Sequence, residues 1–120
     1  IIELDNEWYG IWYLDSMDNL ERYEGKTVQF VGMVLKPSDF PKGFFVPGRM
    51  AMTCCADDMA FLGYACEYEK ASLLKDRQWV KVTAKVTKEY FADYGGEGPV
   101  LKAVSVEQTR APKEEIISFM

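Results

Sequence analysis

From Thr27 to Val34 apolar and polar residues alternate, with Val28, Phe30 and Val34 on one side and Thr27 and Gln29 on the other. That is the period of a strand with one buried face, and Gly32 interrupts it where a bulge or bend fits. The same period returns more clearly from Trp79 to Tyr90. Val80, Val82, Ala84 and Val86 face inward there and Lys81, Thr83, Lys85 and Thr87 face water, as in a half-solvated antiparallel sheet. Between these runs, Lys36 to Gly43 holds two prolines and a glycine and reads as a loop, with Phe40 packed back as an anchor. A second strand starts at Phe44, and Pro47-Gly48 is expected to break it early. Beyond the break Met50, Met52 and Cys54 share one face, taken as the inner one, and Arg49, Ala51, Thr53 and Cys55 share the other.

A tight turn over Ala56 to Ala60 predicts a hairpin with a third strand, in which Leu62, Tyr64, Cys66 and Tyr68 alternate with Phe61, Gly63, Ala65 and Glu67. Lys70 to Asp76 suits a one- or two-turn helix. Asp93 to Pro99 has turn chemistry throughout, and Val100 to Val106 forms a last strand whose parity shifts near Ala103-Val104, the mark of a bulge. Ahead of the strands, residues 1–5 predict a short strand, and Asp5 or Asn6 caps a helix that ends near Gly25. Trp8, Ile11, Trp12, Met17, Leu20 and Tyr23 lie close to helical spacing and are expected to form its core face. Strand, strand, strand, short helix, strand, strand is the order of an OB-fold, a five-stranded Greek-key barrel, so the chain is mainly β. The domain reading is an N-terminal extension over 1–26 packed on a barrel over 27–110, with a tail over 111–120.

Composition narrows the partners. The net charge of -5 and a pI near 4.8 disfavour a ligand held by phosphate contacts, which needs Lys and Arg to displace counterions. The strip that would serve a single-stranded nucleic acid is Lys81, Lys85 and Lys88 with Tyr90, flanked by Trp79 and Phe91. No apolar run approaches the ~20 residues needed to span a bilayer, and Ile1 to Leu4 lack the features of a signal peptide. A start without Met suggests a processed protein or a piece of a longer one.

Histidine is absent, which removes the commonest general base and metal ligand together. No nucleophile–base set or phosphate-cradling loop appears, so no enzyme is expected. The chemistry concentrates in Arg49 to Asp58, where Cys54 and Cys55 stand beside Asp57 and Asp58. Adjacent strand residues leave opposite faces, so both thiols serve one ion only if the strand ends between them. If it does, Cys54, Cys55 and Asp58, with Cys66 on the partner strand, form a candidate site for Zn²⁺. Against this stand a Cys54–Cys66 disulfide and the plainer reading of Cys54 and Cys66 as small buried hydrophobes, because Cys-Cys-x10-Cys matches no usual zinc spacing. Arg49 would lower the Cys55 thiol pKa, pair with Asp58, or serve a structural ion pair.

Tyr23 to Val28, Gly32-Met33-Val34, Asp39 to Lys42, Arg49, the run Met52-Thr53-Cys54-Cys55-Ala56 with Asp58, Leu74 to Thr83 and Pro99 to Lys102 together resemble the soluble C-terminal domain of the YcgQ-like family of uncharacterised bacterial membrane proteins. The Met-Thr-Cys-Cys-Ala-x-Asp signature is its specific part. Arg49, Cys54, Cys55 and Asp58 match family positions, Asp57 sits where a small residue is usual, and Cys66 stands outside the pattern. The resemblance implies a soluble domain tethered to a bacterial membrane through an N-terminal region, on an unspecified side, in a protein that works beside a predicted permease. It supplies no reaction. The combined expectation is a non-catalytic binding or interaction domain with a thiol or metal site at Cys54, Cys55 and Asp58, oriented by Arg49, and no membrane insertion by this segment.

Overall fold

A computed structural model describes residues 1–52 and 59–118. Among these residues it is mainly β, with eight strands in one mixed sheet and a single α-helix near the N-terminus. The alternating runs become its centre. β2 (Thr27–Leu35) pairs antiparallel with β6 (Trp79–Phe91), and Val28, Phe30, Val34, Val80, Val82, Ala84 and Val86 are all buried. β6 then pairs along its length with β7 (Gly96–Gln108). Thr83 opposes Ser105 and Ala84 opposes Ala103, so Val104 is the extra residue of a bulge at the expected place, pushed out to 70% exposure. The hairpin is longer than its turn residues predict. Pairing continues to Phe91 and Gly96, and a 3-10 turn over Ala92–Tyr94 with Gly95 at φ 72° makes the reversal.

β3 (Phe44–Met52) runs through Pro47 and Gly48 without the expected break. Opposite Pro47, the amide and carbonyl of Val34 are bonded to Gln78 and Arg77 at the other edge of β2, so the missing proline N–H leaves no ladder bond unmade. Gly48 is needed for close approach: a Cβ there would run into the Leu62 carbonyl and come within 2.8 Å of the Phe61 ring. The third strand is split into β4 (Met59–Gly63) and β5 (Cys66–Glu67). β4 and β5 both pair antiparallel with β3, and β5 lies parallel to β7 through Cys66 and Leu101. β2 also meets β3, so the pairings run β2-β6-β7-β5-β3 and back to β2. The short helix expected before β6 is one 3-10 turn, Ala71–Leu73, and Phe40 packs back as anticipated, 5.3 Å from the Phe91 ring.

α1 (Asn6–Asp18) starts where Asp5 caps it, its carboxylate accepting from the Glu7 and Trp8 amides at 3.0 Å. It ends at Asp18, well before Gly25, and a 3-10 turn over Leu20–Arg22 follows. Its buried face is Tyr9, Trp12, Tyr13 and Ser16, so of the expected helical stripe Trp12 is inside while Trp8, Ile11 and Met17 are about half exposed. The inner face is set by the partners that Tyr9, Tyr13 and Ser16 find there. Tyr9 donates to the Leu62 carbonyl at 2.8 Å, and Ser16 bonds the Tyr64 hydroxyl at 2.7 Å while Tyr64 stacks on Tyr13. β1 (Ile2–Leu4) lies parallel beside β2, and β8 (Ile116–Ser118) lies parallel beside β3 with Ile117 in the core, so the tail docks. Among the described residues no helix is long and apolar enough to cross a membrane.

Candidate functional site

β2 and β3 meet through Met33–Gly48, Val34–Pro47 and Leu35–Val46. Past that short seam the same edge of β2 takes β1, and that of β3 takes β8. Arg49 is the first β3 residue beyond the seam and is only 3% exposed. Its Nη1 donates to Asn6 Oδ1 at 2.8 Å, Nε to the Glu115 carbonyl at 3.3 Å, and Nη2 to the Glu114 carbonyl. Its Cζ lies 5.5 Å from the centre of the Trp79 ring. Burial pulls the guanidinium pKa down from its ordinary value, and the Glu115 carboxylate works the other way. Arginine tolerates this site because its charge is spread and weakly hydrated, and its planar fork matches several carbonyls at once. One side chain therefore joins the start of α1, the approach to β8, and β6.

Of the expected cluster, Cys54, Cys55 and Asp58 lie outside the described residues. The strands that flank them are clear: Met52 at the end of β3 opposes Met59 at the start of β4. Within β3 the inward parity is that of Arg49 and Ala51, while Met50 and Met52 are half-buried. This reverses the expected inner face, because Val34 points inward and sets Pro47, and with it Arg49, on the same side. Cys66 is fully buried opposite Phe45 and Leu101 and is a free thiol among the described residues, and the alternative of a bridge to Cys54 lies outside them. Burial pushes that thiol up from its ordinary value. Among the described residues no three His, Cys, Asp or Glu side chains converge to hold an ion.

The basic strip divides. Lys81 and Lys85 are exposed on one parity of β6, whereas Lys88 and Tyr90 belong to the other. Carboxylates interleave with them: Lys81 opposes Glu107, Tyr90 opposes Glu97, and Lys85 opposes Lys102, which is itself held by Glu67 at 3.2 Å and Glu89 at 3.0 Å. Trp79 is engaged with Arg49, and Phe91 packs with Phe40 and Phe44. A continuous cationic track for a phosphate backbone does not form from these residues.

The DUF1980 C-terminal domain family matches residues 1–117. The chain belongs to that family. It is also similar to the UPF0703 protein YcgQ of Bacillus subtilis (strain 168), at 22% identity over 109 residues, which cover 88% of this chain and 38% of that protein. The resemblance to the YcgQ-like family is thus borne out, and the chain spans well under half the length of this relative.

One feature of this DUF1980 domain went unread in the sequence. Tyr13, Tyr64 and Tyr94 line a groove of about 480 Å³ together with Asp18, Glu21 and Lys88. Tyr94 accepts from the Ala65 amide and donates to the Pro99 carbonyl, both at 2.8 Å, and burial pushes its phenol up to about 12. Tyr64 donates to the Tyr13 carbonyl at 2.8 Å, and burial raises its pKa as well. Both phenols donate to backbone carbonyls that tie the groove walls together. The signal for the buried face of α1, which brings Tyr13 to the groove, is Tyr9, Tyr13 and Ser16 at i, i+4 and i+7, in register with one another and out of register with the Trp8 stripe.

Proposed function

We propose that this DUF1980 C-terminal domain is a non-catalytic binding module built on an OB-type barrel, with the Cys54 and Cys55 thiols and the Asp58 carboxylate as its ligand groups. The barrel reading is supported by the circuit β2-β6-β7-β5-β3, in which β5 and β7 are parallel and the other neighbours antiparallel. The observation that carries the site is the anchoring of Arg49. It fixes the stem of the β3–β4 pair to α1 and β6, just ahead of the Met52–Met59 ends between which the thiols and carboxylate occur in sequence. Arg49 acts in this reading as a positioning residue, since its donors are taken by Asn6, Glu114 and Glu115. Two thiols and a carboxylate suit Zn²⁺, and Cys66 is left to the core. By the family resemblance the module belongs to a membrane-tethered protein that works beside a permease, and the greater length of its Bacillus subtilis relative is compatible with that setting.

Calorimetric titration of the reduced, metal-free chain with Zn²⁺ tests the proposal. Saturable uptake is expected in the wild type and in Cys66→Ala, and its loss is expected in Cys55→Ser. Absence of uptake, or equal uptake by wild type and Cys55→Ser, overturns the site.

A further inference from the structure

We propose that the outer face of α1 is a docking surface for a basic amphipathic helix of a partner protein. A surface helix normally buries one apolar stripe and turns polar residues outward. α1 buries Tyr9, Trp12, Tyr13 and Ser16, yet its outer side also carries an apolar ridge: Trp8, Ile11, Leu14 and Met17 follow one another every three residues at 55%, 53%, 49% and 53% exposure. Spacing of i, i+3 makes these four neighbours along one ridge, the form that inserts into the groove of a second helix. Beside it, a groove of about 340 Å³ runs between α1 and β1, walled by Ile2, Leu4, Trp8, Ile11, Trp12 and Tyr23. The Trp12 indole N–H is buried without a hydrogen-bond partner among the described residues.

Charge decides what fits. α1 carries Glu7, Asp15 and Asp18 and no basic residue, and exposed Glu3 and Glu21 add the same sign beside it, against the single cation Lys88 that shares the groove with Asp18 and Glu21. Asp15 is engaged by the Tyr23 hydroxyl at 2.6 Å, by Asn19 at 2.9 Å and by Arg22 at 3.5 Å. Asp18 is the last residue of the helix, where the macrodipole is already negative and where cations are favoured. A second copy of this chain would set Glu7, Asp18 and Glu21 against an identical acidic rim, and an anionic bilayer would meet the same repulsion. A helix with a leucine-like stripe and a Lys or Arg flank matches both the ridge and its rim. Its cationic flank lies over Asp18 and Glu21, which gives the contact a direction as well as a site.

The test uses two dye-labelled amphipathic peptides of about 18 residues, one with Leu and Lys faces and one with Leu and Glu faces, titrated with the full chain and read by anisotropy. Saturable binding of the Lys peptide over the Glu peptide is expected. Ile11→Lys should weaken it by about tenfold, and the Asp18→Lys/Glu21→Lys pair should reverse the preference toward the Glu peptide. Leu14→Lys serves as the second ridge variant if Ile11→Lys lowers the melting temperature. Equal binding of both peptides, no binding, or affinity unchanged by the ridge variant overturns the proposal. So does stronger binding to phosphatidylglycerol vesicles, or dimerisation in light scattering that the ridge variant abolishes.

Discussion

The β6–β7 arm and the β2–β3 seam are both antiparallel contacts in one sheet, but they are held together by different means. The arm pairs from Phe91–Gly96 to Val80–Gln108, joins residues close in sequence, and absorbs Val104 as a bulge without losing its register beyond it. The seam has only Met33–Gly48, Val34–Pro47 and Leu35–Val46, and below it the work passes to a buried cation, a helix N-terminus and a strand from the tail. A ladder distributes its stabilisation over many modest bonds, whereas the seam concentrates it in Arg49, whose removal would strand several acceptors at once.

The largest expected effect therefore comes from Arg49→Ala. It should lower unfolding stability by about 3 kcal/mol in urea titration, with hydrogen-exchange protection lost first in β1 and β8 and kept longest in β6–β7. If protection falls uniformly, the two regions are one cooperative unit and the contrast fails. Val82→Ala removes methyl groups from the fully buried face of β6 and should cost about 2 kcal/mol, with loss spread over both regions. The smallest effect is a pH response confined to the helix side. The Tyr23 hydroxyl, then Asn19, holds the Asp15 carboxyl below its ordinary value of 3.8. A depressed carboxyl contributes stability that is present above 3.8 and lost as pH falls through the lower folded-state value. Tyr23→Phe should return Asp15 upward in a carboxyl-carbon NMR titration; an unchanged midpoint would assign the shift to another group.

What was legible in the sequence tracks the same division. β2, β6, the bulge at Val104 and the Phe40 anchor follow from two-residue alternation and local turn chemistry, which any neighbour in space must respect. The seam did not, because its logic is long-range. Pro47-Gly48 looks like a break until Val34 is seen bonded elsewhere and Gly48 is seen pressed against Leu62. Arg49 looks like a partner for nearby thiols and carboxylates, whereas its described acceptors come from Asn6, Glu114 and Glu115. The helix face was misjudged for a related reason: both sides of α1 are apolar, and only the hydroxyl partners at Leu62 and Tyr64 decide which one turns inward.

The partners of Arg49 also set a timetable. Asn6 precedes it by 43 residues, and Glu114 follows it by 65. During synthesis the helix cap emerges first and the arginine next, but the two carbonyls that complete its coordination follow only 65 and 66 residues after the arginine. The alternating strands can pair as soon as β7 is out, while the seam stays open until Glu115 is free of the exit tunnel. A nascent chain whose emerged part ends between Gln108 and Glu114 should therefore hold its hairpin while Arg49 lacks its two backbone acceptors, a window in which chaperones or proteases would find it.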